Sequence, residues 1–133
     1  MSQVTRNAVY DYVSEAITAV HPNVRCSSRR IPVPSSYPSC YIHEIEHYRP
    51  LENMQLDYKD VQWQSAFEIQ VISNKKGSAA SEAYSILETA KDAFNKLYYR
   101  EMSETPVDDV ETFTVIARFR RTIGGGDSMP KSE

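Results

Sequence analysis

Glycine is scarce in this chain, with four in 133 residues, three of them consecutive at positions 124–126. A loop that cradles phosphate needs spaced glycines running into a helix, and neither the 124–126 cluster nor lone Gly77 has that layout. Cysteine is limited to Cys26 and Cys40, without the close pairing of metal or redox motifs. A disulfide and two free thiols both fit that count; a reducing compartment favours thiols. No charge sign dominates: the net charge is −3, so no global field draws the chain to nucleic acid or an anionic membrane. No apolar run approaches the roughly 20 residues of a membrane-spanning helix, and the N-terminus lacks the layout of a secretion signal. A soluble intracellular domain is expected, single at this length, with roughly two-thirds of its unfolded surface buried.

The densest pattern lies between Asp60 and Tyr98. From Val61 to Val71 the odd positions carry Val61, Trp63, Ser65, Phe67, Ile69 and Val71, and the even ones Gln62, Gln64, Ala66, Glu68 and Gln70. A period of two with one apolar and one polar face describes a half-buried strand. Ser73, Asn74, Lys75, Lys76 and Gly77 then form a polar turn. Ala80, Ala83, Leu87, Ala90, Phe94 and Leu97 follow at three- and four-residue steps, one face of a helix that should pack on the strand.

Before this unit, residues 3–20 predict a helix with Val4, Ala8, Val9, Tyr12, Val13, Ala16, Ile17 and Val20 on its stripe, Ser2 as N-cap and His21-Pro22 as terminator. Residues 23–39 read as an extended arm bearing Arg25, Arg29 and Arg30, with Pro32, Pro34 and Pro38 denying a central strand. A connector this long usually has a function; the arm either reaches a partner or is a solvated loop from helix to sheet. Positions 40–48 predict a strand with Tyr41, His43, Ile45 and His47 on one face and Glu44 and Glu46 on the other. At about 3.3 Å per residue, His43 and His47 would sit roughly 13 Å apart, too far to share a metal ion. The 49–59 segment, with Leu51 and Met54, reads as an extended hairpin tip, suited to a subunit contact or to folding back on the sheet.

Residues 100–109 read as a polar connection, with a short strand possible at 105–107 or at 31–33. A third long strand runs through Phe113, Val115, Ala117 and Phe119 and ends in Arg118, Arg120 and Arg121. Those arginines suit inter-subunit ion pairs or a solvated face. The 124–133 tail has nothing to bury and should be mobile. The expected fold class is α+β: an antiparallel or mixed sheet with two helices on one face, in the order α-β-β-α-β, as a single domain over residues 1–123. No nucleophile with a base, no paired histidines at helical spacing and no cofactor motif is present. The expectation is therefore no enzyme, no cofactor and no metal.

The run from Phe67 through Gly77, followed by Ala83, Ile86, Ala90, Ala93 and Phe94, resembles the tail terminator and tail-completion (head–tail joining) proteins of long-tailed bacteriophages. The strand from Thr114 to Ile123 resembles that family's arginine-bearing final strand, and Pro38 to Glu46 its first strand after a proline-containing loop. The likeness spans residues 38–123 in order. It implies a virion structural protein, assembled in the host cytoplasm, that forms a hexameric ring at the head-proximal end of the tail. Such a ring stops tail-tube polymerisation and docks on the head connector; its partners are further copies of itself, the major tail tube protein and a connector or stopper protein. DNA would pass through without specific binding, in keeping with the acidic balance, and no membrane is involved. Candidate contact residues are Arg25, Arg29, Arg30, Leu51, Met54, Arg118, Arg120 and Arg121. The alternatives are a head-completion or minor capsid protein and, from another class, a small α+β enzyme or ligand-binding dimer.

Overall fold

The computed structural model describes residues 4–29, 36–48, 62–124 and 127–129. Seven elements follow in order: α1 (Arg6–Val20), β1 (Arg25–Ser27), β2 (Ser39–Tyr48), β3 (Gln62–Ser73), α2 (Ala79–Lys96), β4 (Arg100–Asp108) and β5 (Phe113–Gly124). The strands form one five-stranded sheet, β1-β2-β3-β5-β4, parallel at β1–β2 and antiparallel elsewhere. The fold is α+β with a mixed sheet. The expected order α-β-β-α-β is present, with β1 and β4 added as the two edges.

The core follows from the period-two pattern. Phe67, Ile69 and Val71 of β3 face the helices beside Cys40 and Ile42 of β2 and Val115, Ala117 and Phe119 of β5. Val9, Val13 and Ile17 of α1 and Ala83, Ile86, Leu87, Ala90 and Phe94 of α2 close the same cluster. Phe94 stacks on Phe119 at 4.3 Å and meets Tyr99 edge-on at 5.5 Å. Each fully buried side chain of this size contributes about 1.5–3 kcal/mol relative to exposure.

Helix ends explain the connections. Thr5, not Ser2, caps α1: its hydroxyl accepts from the Ala8 amide at 3.1 Å. Ser2 lies outside the described residues. At the other end His21 precedes Pro22 as expected, and its Nε2 is 3.1 Å from Thr89 Oγ1 on α2. Helix α2 stops without glycine. Tyr98 takes φ 65°; its amide donates to Asn95 O at 3.0 Å, and the Tyr99 amide donates to Phe94 O at 2.9 Å. This is the Schellman pair, with tyrosine at the left-handed position where glycine is usual.

Four local expectations change. Residues 100–108 are a nine-residue edge strand rather than a connection, and the short strand expected at 105–107 lies inside it; every residue on it is exposed, which is why no apolar alternation marked the rest. Residues 25–27 also pair, as a parallel edge, so the prolines after them interrupt nothing central. Cys26 and Cys40 face each other there as free thiols. In β2 the register shifts between Glu44 and Glu46. That bulge moves His47 to the helix-bearing face, opposite Ser65, while His43 stays on the other face, opposite Glu68. Finally, part of the tail returns to the domain: Asp127 Oδ2 accepts from the Gly124 amide at 2.8 Å, and Met129 packs on the core.

Candidate functional site

The helices cover one face of the sheet, and the strand register dictates what the other presents. Tyr41, His43 and Glu46 of β2, Ala66, Glu68 and Gln70 of β3, and Arg118 and Arg120 of β5 alternate out of the core onto this open face. Glu68 is only 7% exposed although no helix covers it. Arg118 Nε donates to Glu68 Oε2 at 2.9 Å, Gln70 donates to Oε1 at 3.0 Å, and His43 Nε2 lies 3.6 Å from Oε1. Burial alone would raise the Glu68 pKa, but the hydrogen bonds from Gln70 and Arg118 and the charges of His43 and Arg118 hold it below the usual carboxylate value. Burial and Arg118 lower the His43 pKa against the pull of Glu68. Tyr41 stacks on that imidazole at 4.2 Å. Beside them Arg120 donates to Glu46 at 3.0 Å. Two atoms in this layer, His43 Nδ1 and Arg120 Nε, are buried without a hydrogen-bond partner.

The β4–β5 hairpin is polarised along its length. One end opens into a shallow recess of about 260 Å³ lined by Gln64, Tyr98, Arg100, Met102, Arg120 and Thr122. Tyr98 and Met102 are 79% and 59% exposed there. The opposite end turns through Asp108, Asp109, Val110 and Glu111, with Val110 98% exposed at the apex.

On the helix-bearing face a polar chain enters the core. Tyr99 Oη and Ser65 Oγ lie 2.8 Å apart, Ser65 Oγ donates to Glu44 Oε2 at 2.8 Å, and His47 Nδ1 lies 3.2 Å from the same oxygen. Burial pushes the Tyr99 pKa up to about 12, against the Ser65 hydrogen bond and the Arg121 charge. His47 stacks on Trp63 at 4.9 Å at the mouth of a recess of about 720 Å³ that Val4, Arg6, Ile123 and Asp127 also line. Sequence reasoning separated Glu44 from His47; the bulge joins them. The carboxylate stands between serine and imidazole, so His47 does not act on the Ser65 hydroxyl, and the four groups satisfy one another.

The proposed contact residues divide. Arg25 is exposed on edge strand β1 and Arg29 is exposed just after it. Arg30, Leu51 and Met54 lie outside the described residues. The arginine cluster does not stay together: Arg118 and Arg120 sit on the open face, each paired with a carboxylate, and Arg121 turns to the helix side. There its side chain is 8% exposed, donating to Leu97 O and to Asp127 Oδ2, both at 2.6 Å. It neutralises the C-terminal carbonyls of α2 and is committed within the chain. Tyr98 and Tyr99, which end the helix, read from the sequence as a packing or interface pair, whereas Met102 escaped that reading; the missing glycine after Leu97 is the one signal for a forced left-handed residue. Among the described residues no group of three His, Cys, Asp or Glu side chains is placed to hold a metal ion, and no helix is long and apolar enough to cross a membrane.

No protein-family model and no curated protein matches the chain. Solved structures do share its fold. One, which carries an identifier in place of a functional name, is 12% identical over 94% of both chains with a TM-score of 0.54. At that identity the likeness concerns the architecture alone.

Proposed function

We propose that this chain is a virion structural protein of a long-tailed phage. It would sit at the head-proximal end of the tail as a hexameric ring, ending tube polymerisation and joining tail to head connector. The observation that carries the reading is the one-sided sheet. Helices fill one face, while among the described residues no helix covers the opposite face, and a nine-residue edge strand is exposed throughout. Their charged side chains form short ion-pair ladders rather than a converging catalytic set. A layer of this kind suits repeated, specific contacts between rigid subunits. The sequence likeness to tail terminators along residues 38–123 supplies the particular assembly.

The test is sedimentation and electron microscopy of the purified full chain, alone and with assembled tail tubes. A ring capping one end of the tubes is the expected outcome; a chain that remains monomeric in both conditions rejects the reading. Copurification with heads instead of tails would move the protein to head completion or a minor capsid role. The recess at Trp63 and His47 favours one further reading, a ligand-binding module, because it combines an aromatic wall with convergent polar groups. A fluorescence titration of Trp63 against a metabolite library, with no saturable quenching, would remove that alternative.

A further inference from the structure

We propose that the β4–β5 hairpin is a head-to-tail contact between copies of this chain: the acidic turn at 108–111 of one copy seats in the Tyr98–Arg100–Met102–Arg120 recess of the next. This inference rests on the ring reading and names its interface.

The two ends complement each other in charge and in apolar character. At the turn, Asp108, Asp109 and Glu111 surround Val110, whose side chain touches almost nothing in its own chain. The turn is already ordered: the Asp109 amide donates to Thr112 O at 2.9 Å, and Asp109 Oδ1 accepts from the Val110 amide at 3.0 Å. Docking it therefore costs little conformational entropy. The turn itself lines a recess together with Lys75 and Lys76 of its own chain, yet no ion pair joins them to these carboxylates among the described residues.

The recess offers the opposite set. Arg100 and Arg120 face each other across the β4–β5 register, an arrangement in which like charges repel. Glu46 balances Arg120; among the described residues Arg100 has no acidic partner, and the buried Arg120 Nε has no acceptor. An incoming carboxylate balances Arg100, whereas the fully buried Arg120 Nε stays out of its reach. Tyr98 and Met102 provide an exposed apolar wall for a valine-sized apex, and Tyr98 is held outward by a left-handed backbone.

The contact must join different copies. Eight residue steps separate Arg100 from Asp108, about 26 Å at ~3.3 Å per step along a stiff hairpin. A chain cannot place its own turn in its own recess. Turn and recess also differ, so each docking leaves one free turn and one free recess, the heterologous geometry that closes into rings.

The experiment uses the full chain. A turn variant (Asp108→Lys with Glu111→Lys) and a recess variant (Arg100→Glu with Met102→Asp) alter exposed side chains only, and the thermal midpoint confirms that each is folded. Each alone is expected to sediment as monomer, with subunit affinity weakened about tenfold or more. Val110→Asp provides a third, single-site variant that should also dissociate the ring. Mixed one to one, the recess variant and Val110→Asp are expected to form dimers and nothing larger: one intact turn meets one intact recess, and the remaining acidic turn and acidic recess repel. Rings that survive all three variants overturn this contact and leave the ring reading standing. Wild-type chain that stays monomeric, with or without tail tubes, overturns both.

Discussion

Tyr98 provides a test in which backbone conformation and side chain separate. Its φ of 65° lies in the left-handed region, which costs an L-residue about 1–2 kcal/mol relative to glycine. Glycine carries its own penalty, about 0.4–1 kcal/mol, through the larger freedom of its unfolded chain. The difference leaves Tyr98→Gly more stable than Tyr98→Ala by roughly 0.5–1 kcal/mol. Both variants lose the same Arg121–ring contact at 5.8 Å, so that term cancels. At a helix interior the order would reverse, with glycine about 1 kcal/mol below alanine. For a chain of this length the expected gap is roughly 2–4 °C in thermal midpoint, read by far-ultraviolet circular dichroism with urea unfolding as a second measure. Alanine equal to or above glycine would refute the Schellman geometry. Loss of assembly should be the same in both variants, because the lost ring is the common factor.

Further outcomes follow from the polar clusters. Tyr99→Phe removes the hydroxyl beside Ser65 in a buried site and should cost about 1–2 kcal/mol in urea unfolding. Lys91 is gripped by Glu104 at 2.6 Å, with Glu88 at 3.3 Å and Glu101 at 3.5 Å. Lys91→Met leaves Glu101 and Glu104 side by side, and hydrogen exchange of the β4 amides should accelerate up to about fivefold, the worth of roughly 1 kcal/mol. The hydrogen bonds that Lys91 donates to Glu104 and Glu88 raise its pKa against burial, so its contribution is complete below the ordinary lysine value and is lost as pH rises through the elevated one. Acid acts on the open face. His43 has a depressed pKa, so the unfolded chain binds its proton first and stability begins to fall as pH drops past the ordinary imidazole value. Glu68, also depressed, adds stability above the ordinary carboxylate range and loses it as pH falls through its folded value. Urea midpoints from pH 8 to 3 should decline in two stages, the first absent in His43→Gln.

The parts of the fold that bury a face were legible in the sequence. The 61–71 alternation and the 80–97 stripe correspond to β3 and α2, because one-sided burial imposes its period on residue type. Of strand β4 only a short piece at 105–107 was legible, since both its faces meet solvent and nothing selects apolar residues along it. The bulge in β2 was equally silent: one inserted residue leaves the same letters in order while exchanging the faces after it. That shift is why Glu44 and His47 were placed apart. The division of Arg118, Arg120 and Arg121 between two faces follows directly from period two, yet adjacency in sequence suggested a cluster. Contact residues on 30–35 and 49–61 fall outside the described structure and stay as the sequence read them.

The strand order also fixes a folding sequence. Central strand β3 takes one neighbour from upstream, β2, and the other from the last strand, β5. Until β5 emerges, β3 carries a bare, strongly apolar edge, the kind that recruits a strand from another chain. Strand β4 cannot occupy that place first, because it joins the sheet only through β5. Pairing of β5 with β3 therefore competes with capture of that edge by another nascent copy. Lower synthesis temperature, which slows capture more than pairing within the chain, should raise the soluble yield.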